Sequence, residues 1–172
     1  MKPTLYILFG LPFSGKTTLA KKIAEYTQSK LIGFDIFWRE NEKDIPPSKD
    51  GARGWNYTRG LAKDKIQELL RNNASVVYDD TNVRHEHREE LRKVAKACNG
   101  YAIVVYVNIP FSKILKRKEE NKIHQQRHDV ESENFSKAIT QFEPPSPDEE
   151  VLTYDQSISI EEWIRKTFQT KV

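Results

Sequence analysis

The sequence predicts an α/β fold with a parallel sheet of 4–5 strands flanked by helices. Two observations lead there. Short apolar runs alternate with stretches of helical periodicity along the chain. The first run, Thr4–Phe9 (TLYILF), is apolar without strict alternation, as expected of a strand covered on both faces.

Each element follows in turn. After the first strand comes a helix from about Lys16 to Gln28, with Leu19, Ala20, Ile23, Ala24 and Thr27 on one face. Leu31–Phe34 reads as a second strand, and the charged, Pro- and Gly-rich stretch Asp35–Gly54 as a mobile loop. A helix over Trp55–Arg71 turns Ala62, Ile66, Leu69 and Leu70 inward, and Ser75–Tyr78 forms a third strand ending at Asp79-Asp80-Thr81-Asn82. Helix Arg84–Ala97, strand Tyr101–Val107 and a helix from Ser112 follow. Phe142–Pro147 is an extended break, and Glu150–Tyr154 is the candidate fifth strand. Ser159 with Glu162 forms a capping box that opens a last helix.

A length of 172 residues suits one domain, expected to span residues 1–172. With three Trp, seven Tyr and eight Phe the chain is too aromatic for disorder. One cysteine, Cys98, excludes an internal disulfide and a Cys-based zinc cluster, and suits a reducing compartment, so a cytoplasmic location is expected. The longest apolar run, Leu5–Phe9, is too short to cross a bilayer, and no membrane association is expected. Lys+Arg 28 against Asp+Glu 25 gives only +3, which does not imply tight non-specific duplex binding.

The chemistry starts at Gly10-Leu11-Pro12-Phe13-Ser14-Gly15-Lys16-Thr17, which fits G-x-x-x-x-G-K-[ST] at every fixed position. Gly10 and Gly15 let the backbone curl so that its N–H groups face a phosphate. The following helix points its positive end at the same anion. Lys16 neutralises β/γ oxygens and the Thr17 hydroxyl ligates Mg²⁺. The expected nucleotide contacts are Gly10, Leu11, Pro12, Phe13, Ser14, Gly15, Lys16, Thr17 and Thr18, with ATP and Mg²⁺ as cofactors.

Several segments together resemble one family: P-loop kinases of the polynucleotide 5′-hydroxyl kinase type, with their tRNA-seryl kinase and zeta-toxin-like relatives. The segments are Gly10–Thr17, Asp35 with Arg39, Asp80-Thr81-Asn82, and a basic stretch from Arg117 to Arg127. The resemblance covers about residues 4–155 and implies a P-loop NTPase fold with a helical lid at about 113–137. Phe13 departs from it, standing where these kinases usually have Gly. So does Arg39, four residues after Asp35 rather than three, and the lid pair Arg-x-x-x-Arg is not kept.

The resemblance implies roles. Asp35 becomes the candidate general base toward an acceptor hydroxyl, with Arg39 beside it on the substrate. Asp80 becomes the second Mg²⁺ ligand besides Thr17. Asp79 is left to cap the turn or to stand behind the ligands, and Asn82 to cap the helix opening near Arg84. Lys16, Arg117 and Arg127 supply catalytic charge. The lid has almost no apolar anchor beyond Ile123, so it is expected to be mobile without nucleotide. The implied activity is ATP-dependent transfer of a γ-phosphoryl group to a hydroxyl acceptor, a nucleic-acid end or a small molecule. The alternative is a nucleotide-dependent regulatory ATPase or binding module with no kinase acceptor.

Overall fold

The computed structural model describes residues 2–41, 43, 54–124 and 132–169. Five strands form one parallel sheet: β1 (Thr4–Phe9), β2 (Lys30–Gly33), β3 (Val76–Asp79), β4 (Tyr101–Val107) and β5 (Val151–Tyr154), in the order β2-β3-β1-β4-β5. The helices are α1 (Lys16–Thr27), α2 (Phe34–Asn41), α3 (Trp55–Arg71), α4 (His85–Ala97), α5 (Phe111–His124), α6 (Ser132–Thr140) and α7 (Ile160–Phe168). None of them is long and apolar enough to cross a membrane.

The absence of alternation in β1 has the expected cause. Leu5, Ile7 and Phe9 pack into one core with Ala62, Ile66 and Leu70 of α3 and Leu91, Val94 and Ala95 of α4. Tyr6 and Leu8 pack into the other, with Leu19, Ala20 and Ile23 of α1 and Trp163 and Ile164 of α7. Each fully buried side chain of this kind contributes about 1.5–3 kcal/mol, so the strand at the sheet's centre is held from both faces. Ser159 caps α7 as expected, its hydroxyl accepting from Glu162 N at 3.1 Å.

The structure corrects the sequence reading at two places that matter for the site. Strands β2 and β3 each sit one residue away from the predicted Leu31–Phe34 and Ser75–Tyr78, so β3 ends on Asp79. And the expected loop after Leu31–Phe34 begins as helix α2: Phe34 is buried and Phe37 packs against the first core. That apolar pair outweighs the local charge, and Asn41 Nδ2 ties the last turn back to Phe37 O at 2.7 Å. The rest of that predicted loop, at 42 and 44–53, lies outside the described residues.

A third, smaller core lies over the glycine-rich loop. Phe13 packs with Ile109, Ile114 and Phe135, with Leu11 against them. The lid segment is therefore anchored by Ile114 of α5 and Phe135 of α6. Ile123, the apolar residue that the sequence singled out, is 75% exposed.

Candidate active site

The glycine-rich loop leaves β1 at the carboxyl edge of the sheet, where open α/β sheets hold their ligands. Gly10 has φ 145, and a Cβ there would stand 2.8 Å from Val107 O, so no other residue fits. Gly15 closes the loop with φ 102 as the N-cap of α1. Phe13 also sits in the left-handed region, at φ 63. That backbone favours the glycine usual at this position; packing against Phe135, with ring centroids 6.0 Å apart, holds the strained phenylalanine in place.

Two distant side chains brace the outside of this loop. Arg117 Nη1 donates to Phe13 O at 3.2 Å and Ser14 O at 3.0 Å, and its Nη2 donates to Gln156 Oε1 at 2.9 Å. Gln156 Nε2 donates to the same Ser14 carbonyl at 3.2 Å. A trans peptide points its C=O and N–H to opposite sides, so fixing the Ser14 carbonyl outward fixes the direction of the Gly15 N–H. Arg117 is thus tied to the backbone of the loop. Arg127, the other lid arginine, lies outside the described residues, as does His128.

Inside the loop, Lys16 is buried and its Nζ donates to Leu11 O at 3.0 Å. Burial pushes its pKa down, opposed by the carboxylates of Asp79, Asp80 and Asp35. Asp79, at the tip of β3, is buried as well. Burial pushes its carboxyl up, opposed by the Lys16 charge and a hydrogen bond with the Thr17 side chain. Ser14 Oγ is buried with no hydrogen-bond partner among the described residues. An orphaned hydroxyl, a lysine and a carboxylate beside Thr17 make a cradle that fits a polyphosphate with a divalent ion. A Thr hydroxyl with one carboxylate suits Mg²⁺, which takes its remaining ligands from phosphates and water. Among the described residues no group of three or more His, Cys, Asp or Glu could hold a metal by itself.

Asp80, the Mg²⁺ ligand that the resemblance implies besides Thr17, is paired with an arginine in this structure. The carboxylate beside the Thr17 side chain is that of Asp79, because consecutive residues leave a strand in opposite directions, while Lys16 feels the charge of both Asp79 and Asp80. Asp80 is engaged elsewhere: its Oδ2 takes Arg59 Nε at 2.9 Å and the Tyr78 hydroxyl at 3.3 Å, and its Oδ1 takes Thr81 N at 2.6 Å. Burial alone would raise its pKa, and Arg59 holds it below the usual carboxylate value. Asn82 does not cap α4 either. Its Nδ2 reaches Leu8 O at 2.8 Å, while Thr81 O accepts from Gly10 N at 3.1 Å. The Asp80-Thr81-Asn82 run therefore braces the loop from the sheet side.

Asp35 opens α2 directly after β2, is exposed, and its charge is felt at both Lys16 and Asp79. Arg39, one turn on, is exposed and bonds Asp35 O through Nε at 3.3 Å.

Sequence reasoning missed Arg59, Gln156 and the pair formed by Arg88 and Glu149. Arg88 is fully buried and forks onto Glu149, with Nε–Oε1 at 2.7 Å and Nη2–Oε2 at 2.8 Å, and its Nη1 donates to Asn82 O and Val83 O. Its guanidinium also lies 4.2 Å from the Phe9 ring centroid. The partners stand 61 residues apart, and no local pattern announces them.

Comparison with known proteins agrees with this architecture. Residues 3–158 match the family described as Chromatin associated protein KTI12. The L-seryl-tRNA(Sec) kinase of Methanococcus maripaludis is 31% identical over 121 residues, covering 67% of this chain and 45% of the relative. The 2′,3′-cyclic-nucleotide 3′-phosphodiesterase of Pongo abelii is 33% identical over 105 residues, covering 59% of this chain and 23% of the relative. The match thus spans less than half the length of these curated relatives. Among solved structures, Chaetomium thermophilum Kti12 in complex with ADP-AlF3 superposes with a TM-score of 0.75 at 20% identity, covering 96% of both chains. Mycobacterium tuberculosis APS kinase CysC, in complex with AMPPNP and APS, gives 0.68 at 15% identity, covering 98% of this chain and 96% of that one. These likenesses show a P-loop kinase fold.

Proposed function

The chain belongs to the KTI12 family, and on that premise we propose that it is an ATP-dependent phosphotransferase, moving the γ-phosphoryl group of ATP to a hydroxyl. One observation carries the reading: Lys16, Thr17, Asp79 and the exposed Asp35 converge at the carboxyl edge of the sheet.

The loop N–H groups and the start of α1 receive the phosphates. Lys16 exchanges its bond with Leu11 O for the β/γ oxygens, where its charge is needed. Thr17 and Asp79 would hold Mg²⁺, which when bound would neutralise part of the phosphate charge. Arg117 and Gln156 keep the loop in its receiving shape. Asp35 accepts the proton of the acceptor hydroxyl as its oxygen bonds to the γ-phosphorus; the bond from that phosphorus to the β–γ bridging oxygen breaks, and ADP leaves. The acceptor is a nucleic-acid end or a small molecule. The name of the Methanococcus relative favours an acceptor carried on RNA.

A second reading, a regulatory ATPase whose phosphoryl group goes to water, draws on the family match and on the likeness to Chaetomium Kti12. Incubation of the protein with γ-labelled ATP and a panel of 5′-hydroxyl oligonucleotides, tRNA, nucleosides, sugars and aminoglycosides separates the two. The kinase reading expects label on one acceptor class. Label released only as free phosphate on every arm would replace it with the regulatory one.

A further inference from the structure

Arg59 and Arg88 are each paired with a buried carboxylate, and they are used differently. Arg88 commits Nε and Nη2 to Glu149 and Nη1 to two carbonyls, and is 0% exposed. It is consumed by the fold. Arg59 commits only Nε, to Asp80, and its side chain is 25% exposed. Its two terminal nitrogens have no partner among the described residues.

The Arg59 guanidinium is nonetheless held still. Asp80, 4% exposed, is fixed by Thr81 N and the Tyr78 hydroxyl, and grips Nε. The guanidinium carbon lies 5.2 Å from the centroid of Phe34. Phe34 is the residue before Asp35, and Asp80 is the residue after Asp79. The guanidinium therefore stands between the chain segments that carry the candidate base and the candidate metal carboxylate. A planar guanidinium with its orientation set and its Nη1/Nη2 edge open matches a tetrahedral anion through two parallel N–H···O bonds. Asp80 offsets most of its net charge, so geometry rather than charge decides which anion it takes.

We propose that the open Nη1/Nη2 edge of Arg59 is a binding site for a phosphate group of the acceptor, carried near the hydroxyl that reacts. The site rests on the phosphotransferase reading for its occupant, and Asp80 is its positioning residue. A small phosphate ester and a nucleic-acid backbone share this chemistry.

The test uses the full chain, saturated with ADP·Mg²⁺ so that the loop cannot take free phosphate. Inorganic phosphate is titrated in at constant ionic strength against chloride, and the Arg59 Nε–H resonance, assigned by its loss in Arg59→Lys, is followed with the backbone amides of α2 and α3. A saturable shift is expected, with phosphate preferred to chloride. Arg59→Lys keeps a cation opposite Asp80, so the fold survives. Its phosphate affinity, read at the amides, should fall at least about tenfold while ADP affinity changes less than about twofold. Repeating the titration with glycerol phosphate and with a 5′-hydroxyl trinucleotide identifies the source by which binds more tightly. A linear, unsaturated shift, or equal phosphate affinity in Arg59→Lys, would overturn the site. Failure of ADP to bind would instead strike the phosphotransferase reading, and the difference in phosphate affinity between the nucleotide-free wild type and Arg59→Lys would still report on Arg59.

Discussion

Asp35→Asn is expected to leave ATP affinity nearly unchanged and to lower phosphoryl transfer by about 10²–10⁴-fold, the usual scale of general-base catalysis. Asp35 is exposed in the first turn of α2, so the substitution should cost the fold no more than about 0.5 kcal/mol. Its side chain keeps its size and loses only the charge and the proton affinity. A binding role would appear in KM, whereas a base acts on the step itself and appears in kcat. Single-turnover transfer with the acceptor found in the panel, alongside calorimetric ATP titration, reads both. Equal transfer rates in the variant and the wild type would move the base elsewhere and favour the regulatory ATPase.

The largest expected effect on stability is at Arg88. Arg88→Met removes one partner of a fully buried pair and leaves Glu149 with an uncompensated charge, a loss of about 3–5 kcal/mol. His85 Nδ1 at 3.3 Å and Arg92 Nη2 at 3.6 Å also face Glu149, which places the loss toward the lower end. The double variant Arg88→Met/Glu149→Leu leaves neither charge of this pair and should recover much of it. Urea midpoints of the three proteins measure this. A change under about 1 kcal/mol for Arg88→Met would mean that the pair contributes nothing the solvent cannot replace. The effect reaches the site, because Arg88 holds Asn82 O, Asn82 holds Leu8 O, and Thr81 O holds Gly10 N.

The parts of the fold and site that were legible in the sequence are those coded locally. The loop Gly10–Thr17 needs its residue types at fixed spacing, and the sheet shows in Thr4–Phe9 and Tyr101–Val107 because buried parallel strands are apolar throughout. Asp79 and Asp80 were harder, since a one-residue shift in the end of β3 exchanges which carboxylate faces Thr17. Helix α2 was hidden because its charge outvoted Phe34 and Phe37, whose burial becomes visible only once the sheet is in place. The bonds of Arg59 to Asp80, Arg88 to Glu149 and Gln156 to Ser14 join residues 21, 61 and 142 positions apart. No periodicity or spacing encodes such pairs; they follow from the topology, which brings β1, β3 and the turn after β5 to one edge of the sheet.

The central claim, that this loop holds ATP·Mg²⁺, is tested most directly by calorimetric titration of ATP·Mg²⁺ into the wild type and Lys16→Ala. Lys16 is buried beside Asp79, and each charge-assisted bond it makes to phosphate contributes roughly 1.5–3 kcal/mol. The account requires saturable binding by the wild type and at least tenfold weaker binding by the variant. No binding by the wild type, or equal affinity in the two proteins, would contradict it.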